Sequence, residues 1–161
     1  MKLNDKAQAP VSKRGIDFEA LWRLTPQGFA LGVHSDHGPK HWRRVEQFGL
    51  RIAAETEGVD TDIVRLFAVF HDCRRENEYD DPGHGARGAA YAFDVYKQMF
   101  PQLGPADFER LVFACCWHTH VVHHEEVTIG ACFDADRLDL GRVGIRPEAQ
   151  YLNTEAAKRM V

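Results

Sequence analysis

Nine histidines stand at positions 34, 37, 41, 71, 84, 118, 120, 123 and 124. Several fall where a helix would bury them. On the helix expected after Pro39, His41 leads Val45, Phe48 and Ile52 by 4, 7 and 11, the spacing of one helical face. His71 follows Phe67 by four. His84 leads Gly88, Tyr91 and Val95 by 4, 7 and 11. His118 follows Leu111 and Cys115 by seven and three, and Asp136 follows Ile129, Cys132 and Phe133 by 7, 4 and 3. Five ionisable residues on five expected helices therefore share the apolar stripes. A buried, unpartnered charge costs several kcal/mol. A divalent metal removes that cost, because neutral imidazoles and ionised carboxylates become its ligands. Asp72 follows His71 directly, and adjacent helical residues point ~100° apart, so His71-Asp72 could serve two sides of one metal or bridge two.

The elements that must position these residues read as helices. Residues 1–15 are weakly patterned and are expected as a loose arm, followed by one domain over 16–161. A short helix is expected over 16–23, ending at Thr25-Pro26, and a loop over Gly32–Pro39. Pro39 suits a first helical turn, and the helix it opens is expected to reach Glu57. Ile63–Asp72 is apolar enough for a buried strand or a buried helix; capping at Asp60 or Thr61 and Arg65 in its middle favour helix. Further helices are expected over 84–100, from about Asp107 to His118, over 127–140 and over 148–160, with Asp80 or Asp81 capping the one at His84. No β-alternation, repeat or low-complexity segment occurs, so the class is all-α, a compact bundle of six to seven helices.

His41, then His71-Asp72, then Asp136 within Asp134-Ala135-Asp136-Arg137-Leu138-Asp139 resembles the H…HD…D signature of the HD-domain metal-dependent phosphohydrolase superfamily, over about residues 34–146. The resemblance implies a helical bundle, with His41, His71, Asp72 and Asp136 as ligands of a divalent metal such as Mn, Fe, Co, Ni, Mg or Zn. It makes Asp134 and Asp139 less suited as ligands, Asp139 instead capping or pairing with an arginine. His84 and His118 match the order of additional active-site histidines in relatives, where they hold a second metal or contact phosphate; with Asp72 they form the catalytic set. The GYP motif of the cyclic-di-GMP-cleaving subgroup is missing.

The activity implied is metal-dependent hydrolysis of a small phosphorylated molecule, a nucleotide or another phosphate mono- or diester. The metal would lower the pKa of water from 15.7 toward ~7. Arg44, Arg74, Arg75, Arg87 and Arg137 are the expected substrate-binding cations, with Lys40 also close in sequence to a ligand. The alternatives are a di-iron oxygenase of the HD type, enabled by the same His84 and His118, and a non-catalytic metal- or nucleotide-binding regulatory module.

Composition narrows the classes further. With 161 residues, 20 Lys+Arg against 24 Asp+Glu and a net charge of −4, the chain has no basic footprint for duplex nucleic acid or an anionic membrane. It has no ~18-residue apolar run for a membrane span and no apolar leader in residues 1–15, so a cytoplasmic address is expected. An apolar helix face could form a homodimer. Cys115-Cys116 lacks the C-x₂₋₄-C spacing of structural zinc sites and reads as small buried residues. His123-His124-Glu125-Glu126 reads as a solvated loop.

Overall fold

The computed structural model describes residues 9–161. Among them are seven α-helices and no strand: α1 Phe18–Leu24, α2 Pro39–Glu55, α3 Thr61–Phe70, α4 His84–Met99, α5 Pro105–Trp117, α6 Val127–Leu138 and α7 Glu155–Lys158. No helix among these residues is long and apolar enough to cross a membrane.

The segment that could have been strand or helix is the central helix, α3. Asp60 caps it, accepting from the Asp62 and Ile63 N–H groups, and every residue from Asp62 to Phe70 is buried. A helix apolar all round must be enclosed, and α2, α4, α5 and α6 all pack on α3. Arg65, buried in its middle, is neutralised by Glu46 at 2.8 Å, bonds the Pro10 carbonyl and lies 3.7 Å from the centre of the Phe18 ring.

Helix α4 reaches α3 and α5 through two glycines. A Cβ on Gly88 would stand 2.2 Å from the Phe70 carbonyl oxygen, and one on Gly85 would stand 2.0 Å from that of Cys115. The bare backbone of α4 is thus pressed against the C-terminal ends of α3 and α5, where His71 and His118 lie.

Two expected elements differ from the structure. Residues 148–160 do not form one helix: a 3₁₀ turn, Ala149–Tyr151, is separated from α7 by Leu152–Thr154. Buried Asp134 is the reason, because its carboxylate takes the Asn153 and Thr154 N–H groups, both at 2.7 Å, and both side chains. Those N–H groups cannot also serve a helix. Nor does an acidic side chain cap α4. Gly83 is its N-cap, and Asp81 binds Arg87 at 2.6 Å.

Of the expected arm, residues 1–8 lie outside the described residues, and the rest is tied down. Arg14 binds Asp60 at 2.6 Å, Asp107 at 2.7 Å and Asp62 at 3.1 Å. Burial favours the neutral form of Asp60, but Arg14, the Ile63 N–H and Arg110 outweigh it and lower its pKa. Hydrogen bonds from Arg110 and Arg14 lower that of Asp107. Both carboxyls thus hold protons less tightly folded than unfolded. Their contribution is complete above the unfolded carboxylate pKa near ~3.9 and fades as pH falls below it. Melting temperature against pH should therefore drop more steeply below ~4 in the wild type than in Arg14→Gln. Parallel curves would contradict the network.

Candidate metal centre

The site is assembled from helix ends. His41 lies in the first turn of α2 and His84 opens α4. His71 is the C-cap of α3, with Asp72 next to it, His118 is the C-cap of α5, and Asp136 lies in the last turn of α6. Three helix C-termini and two N-termini thus converge on one spot, where their partial charges largely offset and the Asp72 and Asp136 carboxylates supply the negative charge that favours a cation. All six residues are buried, from His71 at 0% exposed to Asp136 at 8%.

Their donor atoms form two groups, each within 4.8 Å: His41, His71 and Asp136, and Asp72, His84 and His118. Asp72 stands between the groups. Its Oδ1 is 3.1 Å from His84 Nε2 and 3.8 Å from His118 Nε2. Its Oδ2 is 3.5 Å from His41 Nε2 and 3.9 Å from His71 Nε2.

Hydrogen bonds set the tautomers. His71 Nδ1 faces the Phe67 and Ala68 carbonyls, His118 Nδ1 that of Cys115 and His84 Nδ1 that of Asp81. Carbonyls only accept, so each Nδ1 carries the proton and each Nε2 lone pair points inward. His41 Nδ1 donates to Asp139 Oδ2 at 2.7 Å. The inward nitrogens meet in pairs, His41 with His71 at 3.1 Å and His84 with His118 at 3.0 Å. Two facing lone pairs need a shared proton or a cation between them. The buried Asp136 Oδ1 has no hydrogen-bond partner among the described residues, and His41 Nε2, 3.2 Å away, turns a lone pair toward it. Converging lone pairs, an orphaned carboxylate oxygen and fixed tautomers are what a bound metal ion requires. The residues fit a divalent cation.

In the metal-free chain protons compete for the same atoms. Burial drives the His71 pKa down to about 3. Burial also opposes charge on His41, but the Asp136 and Asp139 carboxylates outweigh it and raise its pKa. His118 is raised against burial by its bond to Asp72 and by the Asp136 and Asp72 charges. Asp72 and Asp136 are held well below the usual carboxylate range, again against burial: Asp72 by His71 and by its contacts with His118, His37 and His84, Asp136 by His41, Arg142, His71 and His118.

Behind this site lies a supporting layer that the sequence only partly revealed. Asp139 both orients His41 and pairs with an arginine, since its Oδ1 accepts from Arg44 Nε at 2.7 Å. Such partners fix the tautomer of a metal-ligating histidine, and losing one costs about 10–100-fold in affinity. Asp139→Asn is expected to weaken metal binding by about that factor, measured by chelator competition. Unchanged affinity would contradict this role.

His37 and Arg142 escaped sequence reading. His37, buried in a loop, is 3.3 Å from Asp72 Oδ2 and 3.1 Å from the Glu78 carbonyl. It belongs to no apolar stripe, so its one signal is its place four residues before His41. Arg142, in the 3₁₀ turn Leu140–Val143, stands 3.8 Å from Asp136 Oδ1 and bonds the Asp36 carbonyl.

The expected substrate-binding arginines are not gathered at the centre. Arg44 is taken by Asp139. Arg137 is spent on the carbonyls of His118, Val121, Val122 and Tyr151, closing the loop after α5. Arg74 and Arg87 line a separate cavity. Of these five, Arg75 alone reaches the candidate ligands, with Nη1 3.9 Å from Asp72 Oδ1 and 3.2 Å from His84 Nδ1. His34, His120 and His123 are exposed. His124 accepts from the Glu126 N–H and packs on Phe113. Cys115 is buried and Cys116 half-buried; burial raises the pKa of both thiols.

Comparison of the chain with protein-family models, with curated proteins and with solved structures finds no match. The site therefore stands on its own geometry: an all-helical chain whose buried His/Asp groups could hold a metal ion.

Proposed function

We propose that the chain is an HD-type phosphohydrolase acting on a small phosphate ester with two divalent cations. His41, His71 and Asp136 would hold one cation and His84 and His118 the other, with Asp72 facing both sets. The observation that carries this reading is the placement of Asp72, whose two oxygens face two separate sets of inward-pointing donors.

A bound divalent cation supplies a water of lowered pKa and polarises a phosphoryl oxygen. The chain's own residues do the rest. The Nδ1 bonds of the four histidines keep their Nε2 atoms aimed inward, so no reorganisation is needed when a ligand arrives. His37 steadies Asp72 through Oδ2. A cavity of 690 Å³ lined by His37, Arg75, Glu78, Tyr79 and Asp80 among others adjoins Asp72 through its first two lining residues. Arg75 supplies positive charge there for a phosphoryl group.

The test is turnover of a panel of phosphate mono- and diesters by protein loaded with Mn, Co or Fe, before and after chelation. Metal-dependent phosphate or alcohol release is expected. A second reading, a di-iron oxygenase, draws on the same His84 and His118; oxygen consumption by the iron-loaded chain without ester turnover would favour it. His84→Ala is expected to keep the His41 group's cation while turnover falls. Unchanged turnover would make His84 structural. Substrate binding without any turnover would favour a regulatory module.

A further inference from the structure

A second cavity, of 320 Å³, opens beside the metal centre without using any of its ligands. Gly28, Arg74, Arg75, Arg87 and Tyr91 line it, with Glu76 and Asp94 as its carboxylates. Arg74 has no carboxylate within 4.0 Å among the described residues, and the one carboxylate that near Arg75 is Asp72, at 3.9 Å. Arg87 is neutralised by Asp81 at 2.6 Å, with Glu76 at 3.6 Å; Glu76 and Asp94 are exposed.

The Arg74 guanidinium is nevertheless held in place. It lies 3.6 Å from the centre of the Tyr91 ring, and its Nη1 donates to the Cys73 and Thr25 carbonyls. Its Nε and Nη2 have no acceptor among the described residues. Gly28 leaves Nη2 its space, since a Cβ there would stand 2.8 Å away. Arg87 donates through Nε to the Arg74 carbonyl and through Nη2 to Asp81, and its Nη1 has no acceptor among the described residues. A fixed guanidinium edge with two open N–H groups, a second free donor and a small cavity match a tetrahedral oxyanion, which arginine binds through paired N–H···O bonds.

We propose that this cavity is a phosphate-binding site, distinct from the metal centre, in which Arg74 grips the anion and Arg87 and Arg75 add charge. The proposal does not rest on the hydrolase reading, because none of the metal-ligating residues lines the cavity. Arg75 also lines the 690 Å³ cavity beside Asp72, so the two spaces share a wall.

Titration calorimetry with inorganic phosphate in chloride buffer tests it, on the metal-loaded chain and on the chelated chain with its helical signal verified by circular dichroism. One saturable event that survives chelation is expected. Arg74→Gln should weaken it about tenfold or more, Arg74→Lys less so, and Lys97→Gln, an exposed control on α4, not at all. If chelation costs the fold, Arg74→Gln in the metal-loaded chain should remove one binding event. Binding unaffected by Arg74→Gln, binding that vanishes on chelation of a still-folded chain, or no saturation in the millimolar range would each overturn the site.

Discussion

Asp72→Ala should strip the protein of metal and activity while leaving it helical. Asp72 is the one residue whose oxygens face both donor groups, so its loss removes a ligand from each. His41, His71, His84 and His118 would then face one another with Asp136 as the one remaining carboxylate in the two groups. The loss in metal affinity should exceed the about 10–100-fold that a supporting residue costs. His71→Ala should be nearly as severe for the group it belongs to, since burial keeps that imidazole neutral and its Nε2 free for a ligand bond. Elemental analysis of folded variants checks both. Full metal occupancy in Asp72→Ala would contradict its assignment as a ligand.

Gly88→Ala should be strongly destabilising for so small a change. The added methyl would sit 2.2 Å from the Phe70 carbonyl oxygen and 3.4 Å from that of His71. Backbone at the C-terminus of a fully buried helix cannot swing aside as a side chain would, so α4 must move away. Overpacking of this kind costs about 3 kcal/mol or more, which for a chain of this length lowers the melting temperature by roughly 6–12 °C. Gly104→Ala is the internal control, because nothing lies within 4 Å of a Cβ there. The shift of α4 would also carry His84 away from Asp72, so metal affinity should fall with stability. Equal melting temperatures for the two variants would contradict the close approach.

The site was more legible than its surroundings, and the reason is physical. A ligand at a helix end continues the apolar stripe of its own helix, so His41, His84, His118 and Asp136 betray themselves by phase alone. The ambiguity of residues 63–72 vanishes only in three dimensions, where α2, α4, α5 and α6 enclose α3 and the described residues offer no strand for it to pair with. Residues that act from loops or turns leave no periodic trace. His37 and Arg142 reach the centre because Gly32–Pro39 and Leu140–Val143 fold back across it, which a one-dimensional pattern cannot register. The arginines follow no such periodicity. Nearness in sequence to a ligand placed Arg44 and Arg137 at the substrate, but long side chains reach partners far along the chain: Asp139 for Arg44, and the carbonyls of the loop after α5 for Arg137. The break before α7 has the same origin, since a helical pattern over 148–160 gives no sign that Asp134 claims two of its N–H groups.

Metal stoichiometry of the wild-type chain bears most directly on the proposed two-cation centre, with Asp72 between its two sets of donors. Protein titrated with Mn²⁺ or Fe²⁺ and freed of excess ion should retain two metal atoms per chain. Retention of none, or of one that persists at full occupancy in Asp72→Ala, would contradict it.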